Sequence, residues 1–185
     1  MRILGISGSL RRDSHNRRLL LEAAELLPAG TELELFEGLK AVPPYDEDDD
    51  REDETHPAVT DLRDAIARAD AVLIATPEYN ASVPGQLKNA IDWASRPRGA
   101  AVLLGKPVAV ISASIGSFGG VWAQAELRKI LRAAGARVLE GELAVPRAHV
   151  RLDEDRRLLD DELRERLAVL LDSLVAEAQP VVVAA

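Results

Sequence analysis

Cysteine is absent from the 185-residue chain. Disulfides, thiolate metal centres and thiol catalysis are therefore excluded, and any redox chemistry must come from a bound cofactor. Histidine is scarce: His15, His56 and His149 are far apart and lack the paired spacing of a zinc site, while the carboxylates fall in runs instead of alternating with glycine as in a calcium loop. No metal is expected. No apolar run reaches membrane-spanning length, and Met1-Arg2-Ile3-Leu4-Gly5-Ile6 is too soon interrupted to be a signal h-region, so the expectation is a cytoplasmic protein without membrane association. A basic stripe is also missing. The net charge is -8, which repels a phosphate backbone and argues against a nucleic-acid partner. Eight acids and one arginine between Asp46 and Glu54 account for -7 of it, so the acidity is local and reads as a solvated loop.

What is present is an alternation of strands and helices. Arg2 to Ser7 is a short apolar run closed by Gly8, and Asn16 to Leu27 then places Leu19, Leu20, Ala23, Ala24 and Leu27 at helical spacing. Pro28 and Gly30 stop this helix. Thr31 to Phe36 alternates as a less buried second strand, Gly38 to Pro57 is a long loop, and Val59, Leu62, Ile66 and Ala69 mark a second helix. Ala71 to Ala75 and Pro107 to Ile111 are uninterrupted apolar strands of the kind covered on both faces in parallel sheets. Gly85 to Ser95 is a third helix opened by Pro84, its apolar face suited to the core or a dimer interface. A fourth helix carries Ala123, Leu127, Ile130, Leu131 and Ala134, with Gly135 as its cap. Ala136 to Leu139, resuming at Leu143 to Val145, is the fifth strand, and Leu159, Leu163, Leu167, Leu170, Leu171 and Leu174 make a last amphipathic helix.

This pattern predicts one domain, residues 1–185, in the α/β class. It is a three-layer sandwich with a five-stranded parallel sheet between helices, and a chain this long buries roughly 70% of its unfolded surface. Of the common doubly wound orders, the flavodoxin-like 2-1-3-4-5 suits five strands, with its ligand crevice between strands one and three.

Three loops fall at the carboxyl ends of strands. In Gly8-Ser9-Leu10-Arg11-Arg12-Asp13-Ser14-His15-Asn16, the side chains of Ser9, Arg11, Ser14 and Asn16 and the amides of the next helix can donate to one phosphate. The same loop also reads as a polar turn in which Ser14 caps a helix. It is neither a Walker lysine loop nor a G-x-G-x-x-G fingerprint. The second loop, Pro77-Glu78-Tyr79-Asn80, offers a fixed φ, backbone groups on its edge and a flat ring, features that fit an isoalloxazine edge. Alternatively Tyr79 packs in the core and Asn80 satisfies a turn. In the third, Ser112 to Gly120, Gly116 and Gly119 suit a pocket floor or a plain flexible connector. A Ser-His-Asp hydrolase would need G-x-S-x-G, and Gly5-Ile6-Ser7-Gly8-Ser9 does not supply it.

Two of these loops carry a resemblance. The first is similar to the G-S-x-R-x-x-S-x-N phosphate loop, and Thr76 to Ser95 to the T-P-E-Y-N-x-S-x-P-G-x-L-K-N-A-I-D-W-x-S segment, of the NADPH-dependent FMN reductases. That flavodoxin-like family includes chromate, quinone and azo-dye reductases. The resemblance runs over residues 2 to 146 and fades in the last helix. It implies FMN as cofactor, NADPH or NADH as cosubstrate, and a small electron acceptor such as a quinone, free flavin, azo compound or chromate-like oxyanion. It also implies that Ser9, Arg11, Ser14 and Asn16, in one loop with His15, hold the FMN phosphate. Pro77, Glu78, Tyr79 and Asn80 would border the isoalloxazine, and Ser112, Ser114 and Gly116 would approach its other side.

Family members are commonly dimers or tetramers, so a homodimer is expected, with a tetramer in doubt. Where some relatives carry arginine after the Gly-Gly pair, this chain has Val121-Trp122-Ala123-Gln124. Trp122 reads more readily as a core residue than as a dimer contact. The rival reading is a flavodoxin-type electron carrier that does not oxidise NAD(P)H, against which Arg11 and the P-E-Y-N loop weigh. No side chain is assigned as a catalytic acid or base.

Overall fold

The computed structural model describes residues 1–51, 55–153 and 157–179. Six strands, β1 (Arg2–Ser7), β2 (Glu32–Leu35), β3 (Ala71–Ala75), β4 (Pro107–Ala113), β5 (Arg137–Val138) and β6 (Leu143–Val145), form one sheet. Its order is β2-β1-β3-β4-β5, with β6 also on β4, and all pairings are parallel. The expected 2-1-3-4-5 order is therefore present. The helices are α1 (His15–Leu26), α2 (Pro57–Arg68), α3 (Gly85–Ala94), α4 (Val121–Ala133), the short α5 (Ala148–Arg151) and α6 (Asp161–Ala178).

Alternate residues of each strand feed two cores. Leu4, Ile6, Val72, Ile74, Val108 and Val110 pack with α2, α3 and α4. Ile3, Leu73, Ala75, Ala109 and Ile111 pack with α1 and α6. β3 and β4 are buried along their whole length, whereas β2 alternates exposed and half-buried residues as an edge strand does.

Four details differ from the sequence reading. The fifth strand is two strands, because the Arg128 guanidinium occupies the gap between them. Its Nη2 donates to Gly141 O at 2.5 Å and reaches Val110 O at 3.5 Å, the carbonyl that a continuous strand would have bonded. Leu159 lies outside α6 and is 63% exposed, while Leu158 takes the buried place. The segment after β2 is not shapeless: it holds two 3₁₀ turns, Gly38–Ala41 and Glu47–Asp49, and Pro57 opens α2. Of the acidic run, Asp46 to Asp49 are exposed, but Asp50 is partly buried against Arg63 at 2.8 Å. Residues 52–54 of the run lie outside the described residues.

Conserving the loop after β2 in place is the task of α3's polar residues. Gln86 Nε2 donates to Leu39 O and Val42 O, Asn89 Oδ1 accepts from Tyr45 N, and Trp93 Nε1 donates to Pro43 O at 2.9 Å. Much of the Gln86–Trp93 signature is thus a clamp on the chain.

Candidate active site

β1 ends at Ser7, and the chain turns over the sheet at Gly8, whose N–H donates to Ala75 O at 2.8 Å. A Cβ on Gly8 would lie 2.8 Å from Leu87 Cδ2 and 3.3 Å from Pro77 Cδ, so glycine is what lets the first loop press against the second. Beyond it, the backbone N–H groups of Ser9, Leu10, Arg12, Asp13 and Ser14 meet no acceptor among the described residues. The first turn of α1 adds the N–H groups of His15 and Asn16, which a helix cannot satisfy internally. Arg11 stands exposed on this loop with Nη2 donating to Asp13 O, and no carboxylate pairs with it among the described residues. His15 Nδ1 is buried without a partner. Burial first, then Arg18, Arg11 and His149, hold the His15 imidazole below its ordinary pKa. Free amides, a cation without a carboxylate partner and the positive end of a helix lie together in this loop, a set of groups suited to an anion.

The side chains of this loop divide the work differently from the sequence reading. Ser14 is 2% exposed and its Oγ accepts from Arg17 N at 3.3 Å, so it does cap α1. Ser9 Oγ accepts only weakly, from Arg11 N at 3.5 Å. Asn16 is a correction. Its carboxamide is buried and closes two bonds of 2.9 Å with Ala113, donating to O and accepting from N, so it braces α1 against the end of β4 instead of pointing donors at a ligand.

In the second loop, Tyr79 and Ser82 exchange backbone bonds of 3.0 and 3.1 Å across Asn80 and Ala81, which have φ of 52° and 60°. Positive φ at both central residues makes a tight reversal that lifts Tyr79 off the sheet, 48% exposed. The core reading of Tyr79 is thus overturned, and Asn80 does serve the turn. Pro77 sits beside Gly8. Glu78 has a partner inside the protein: its carboxylate accepts from Trp122 N at 3.1 Å and Ala123 N at 3.2 Å. It caps α4, whose own N-cap residue Gly120 has no side chain to do so, and ties the second loop to the third.

The third loop is held mainly from behind. Ser112 is fully buried; its Oγ donates to Gly119 O at 2.5 Å and receives Gln124 Nε2 at 2.6 Å, so it does not face the crevice. Ser114 Oγ accepts from Gly116 N at 3.1 Å, and Gly116 lies exposed with little beside it. A Cβ on Gly119 would strike the Val145 and Pro146 backbone at 2.9 Å; that glycine serves packing against β6, not a pocket floor. Trp122 is 50% exposed and meets Phe118 edge-on at 4.9 Å, contrary to the core reading. The sequence reading did not pair these two aromatics, since only the fold leaves both Phe118, in the loop before α4, and Trp122, in its first turn, exposed.

First and second loops meet. A cleft of about 380 Å³ is lined by Gly8, Leu10 and Arg11 from one and by Tyr79, Pro84, Gly85 and Gln86 from the other. A larger groove of about 910 Å³ runs between α6 and the chain from β5 toward β6, but it contains none of the loop residues. Among the described residues no cluster of His, Cys, Asp and Glu has the makings of a metal site.

A helix end rich in free N–H groups beside an exposed ring, at the crevice where the strand order reverses, is the arrangement of a flavodoxin-like flavin-binding protein. The donor set suits the phosphomonoester of FMN, with the tyrosine-bearing turn as the neighbour of its ring system. Comparison with known proteins agrees. The model of the family described as NADPH-dependent FMN reductase matches residues 1–150. An NAD(P)H-dependent FMN reductase of Pseudomonas aeruginosa is 44% identical over 94% of this chain and 93% of its own. A 2-hydroxy-1,4-benzoquinone reductase of Burkholderia is 36% identical, covering 95% of each. The solved structure of FerB, a flavoenzyme NAD(P)H:(acceptor) oxidoreductase from Paracoccus denitrificans, superposes with a TM-score of 0.86 at 35% identity over 96% of both chains. The chain belongs to the NADPH-dependent FMN reductase family and is an oxidoreductase of that flavin-dependent kind.

Proposed function

We propose that this protein takes hydride from NAD(P)H at a bound FMN and passes the electrons to a small acceptor of the quinone class, working as a homodimer in the cytoplasm. The observation that carries the site is the shared cleft of Arg11 and Tyr79, which joins an anion cradle to an exposed ring. FMN, when bound, supplies the ring that accepts hydride and the electrons that convert a quinone, with two protons, to its hydroquinone.

Each protein group then has a limited task. Arg11 and the free amides from Ser9 to Asn16 would hold the phosphate of FMN, and Tyr79 would border its ring. Pro77 and Asn80 shape the turn. Glu78 acts through α4, fixing the spacing of the second and third loops, and Ser114 and Gly116 form the open rim opposite. With no side chain placed as a proton donor, acceptor scope follows from access to the crevice. The quinone reductases among the relatives support the quinone class.

Ile115, Phe118 and Trp122 are exposed beside this rim and form the candidate contact between subunits. Sedimentation of wild type against Trp122→Ala checks this: the variant is expected to shift toward monomer without unfolding. An unchanged dimer removes Trp122 from the contact.

Anaerobic mixing of FMN-loaded protein with NADPH tests the activity. Bleaching of the flavin within seconds, and recovery of colour on adding a benzoquinone, are the expected results. No bleaching over minutes would leave the electron-carrier reading standing. Parallel double-reciprocal lines are expected in steady state, because both substrates must use one crevice in turn.

A further inference from the structure

Behind the third loop runs a line of buried polar side chains that no step of the proposed chemistry uses. Arg128 and Gln124, one turn apart on α4, are 4% and 1% exposed, and Ser112 on β4 is fully buried. Arg128 Nη2 donates to Gln124 Oε1 at 3.2 Å. Gln124 Nε2 donates to Ser112 Oγ at 2.6 Å and to Leu143 O at 2.8 Å, and Ser112 Oγ donates to Gly119 O at 2.5 Å. The outer end of the line is Glu142, which accepts from Arg128 Nη1 at 2.7 Å and stands largely in solvent.

The sense of every bond in this line is set at the arginine. A guanidinium has only donors, so the oxygen of the Gln124 amide must face it, and the NH2 group is thereby turned toward Ser112 and Leu143 O. A hydroxyl has one proton. Because Ser112 Oγ accepts from Gln124, that proton goes to Gly119 O. Without the arginine the amide is free to turn over. Its oxygen would then draw the serine proton, and the carbonyl of the buried Gly119 would lose its donor.

Stability alone does not account for the arrangement. Arg128 Nε is buried without a hydrogen-bond partner, and an apolar side chain often serves a core as well as a buried charge does. What the line accomplishes lies at its inner end. The bond from Ser112 to Gly119 spans seven positions and closes the third loop at its base, where Gly119 and Gly120 take φ of 67° and 93° into α4. A Cβ on Gly120 would lie 3.0 Å from Ser112 Oγ, so the hydroxyl fits close against this pair. Two glycines in succession have wide conformational freedom, and the serine bond restrains them. From the other side Glu78 accepts from the N–H groups of Trp122 and Ala123. A shift of residues 119–123 therefore moves both the rim of Ser114 and Gly116 and the loop that carries Tyr79.

From these bonds we infer that Arg128 is a positioning residue for the flavin crevice: by fixing the sense of the Gln124, Ser112 and Gly119 bonds it sets where the second and third loops stand around the ring. The inference rests on the reading of this crevice as the FMN site and adds a remote residue on which that site depends.

The test is titration of the apo-protein with FMN, followed by flavin fluorescence, with thermal unfolding to check that each variant is folded. Gln124→Glu keeps the shape of the side chain and an acceptor for Arg128 but has no donor for Ser112, so the Kd for FMN should rise about five- to thirty-fold. Arg128→Met and Ser112→Ala should each do the same. Combined in one chain, these two should weaken FMN by no more than about two-fold beyond the larger single effect, since both cut one line. Arg128→Lys keeps a donor for Gln124 while giving up the bonds to Gly141 O and Glu142, so its Kd should stay within about three-fold of wild type even as its thermal stability falls.

Three results would overturn the inference. Full FMN affinity in Gln124→Glu would show that the sense of the bonds is immaterial to the crevice. Losses that multiply in the double variant would put Arg128 and Ser112 on separate routes. An Arg128→Lys as weak as Arg128→Met would show that the packing of the guanidinium matters, not its donor to Gln124. Should Arg128→Met fail to fold, Gln124→Glu with Ser112→Ala closes the same cycle. The reductase reading fails differently: a wild type that binds FMN but is not bleached by NADPH ends that reading and leaves the titrations to decide the role of Arg128, whereas a wild type without affinity for FMN ends both.

Discussion

Replacing Asn16 with alanine should separate bracing from ligand binding, because both of its buried hydrogen bonds go to a single residue 97 positions away. The substitution leaves the N–H and C=O of Ala113 without partners in a region closed to water, and each orphaned group costs about 1 to 3 kcal/mol. The expected loss of stability is about 2 to 5 kcal/mol, a large share of the 5 to 15 kcal/mol typical of a domain. For a chain of this size that lowers Tm by on the order of 10 °C. Urea unfolding of the apo-protein at constant m-value is the assay, with Asn16→Asp as companion. Aspartate keeps the acceptor for Ala113 N–H but turns a second oxygen toward Ala113 O, so it should be destabilised as well. FMN affinity should drop in both variants, since the amino end of α1 loses its fixed distance from β4. A loss below about 0.5 kcal/mol in Asn16→Ala would refute the reasoning, by showing that relaxation or water satisfies Ala113. Normal stability with lost flavin affinity would return Asn16 to the role of direct donor.

Arg11→Ala should weaken FMN binding by about 1.5 to 3 kcal/mol, roughly ten- to a hundred-and-fifty-fold in Kd, with unfolding unchanged; equal flavin-fluorescence titrations for the two proteins would remove Arg11 from the cradle. Gly8→Ala forces a methyl to 2.8 Å from Leu87 Cδ2 and should cost about 1 to 3 kcal/mol in urea unfolding, partly recovered by Leu87→Val in the same chain. His15 links stability to pH through its depressed pKa. Above the ordinary value of 6.5 the ring is neutral in both states and contributes nothing; as pH falls below it the unfolded chain takes the proton first, so stability declines until the folded-state pKa is passed. His15→Gln should therefore flatten the stability profile on the acid side of 6.5, and an unaltered slope would mean that other groups set it. Bound phosphate should push the His15 pKa back up, which an NMR titration of the ring with and without FMN would show.

Most of the architecture was legible because burial wrote it plainly. β3 and β4 are continuous apolar runs, and only strands covered on both faces tolerate that composition. The helices of a sandwich announce their inner faces by period, as α2 does with Val59, Leu62 and Ile66. Where a polar side chain replaced backbone pairing the pattern was silent. Arg128 reads as one more charge on an amphipathic helix, yet it is nearly fully buried and substitutes for a residue of the sheet ladder, splitting the last strand. Leu159 fits the α6 period and is nonetheless exposed, because Asp160 caps the helix after it. Periodicity marks a face and does not say where the face begins.

The site was legible in position more than in role. Sequence places Asn16, Glu78 and Ser112 in three loops at the carboxyl ends of strands but cannot tell a polar group aimed at a ligand from one consumed by the protein. In each case the partner decides: Ala113 for Asn16, the α4 amides for Glu78, Gly119 and Gln124 for Ser112. These bonds run from loop to loop, or from loop to strand, around the crevice. A cradle of free amides binds an anion well only if its N–H groups are held still, because ordering them at the moment of binding would offset the gain. Using the buried polar side chains as struts is then the means by which the backbone donors remain free and fixed. Arg11 and Tyr79, which the protein leaves exposed, are the residues on which differences in ligand should depend.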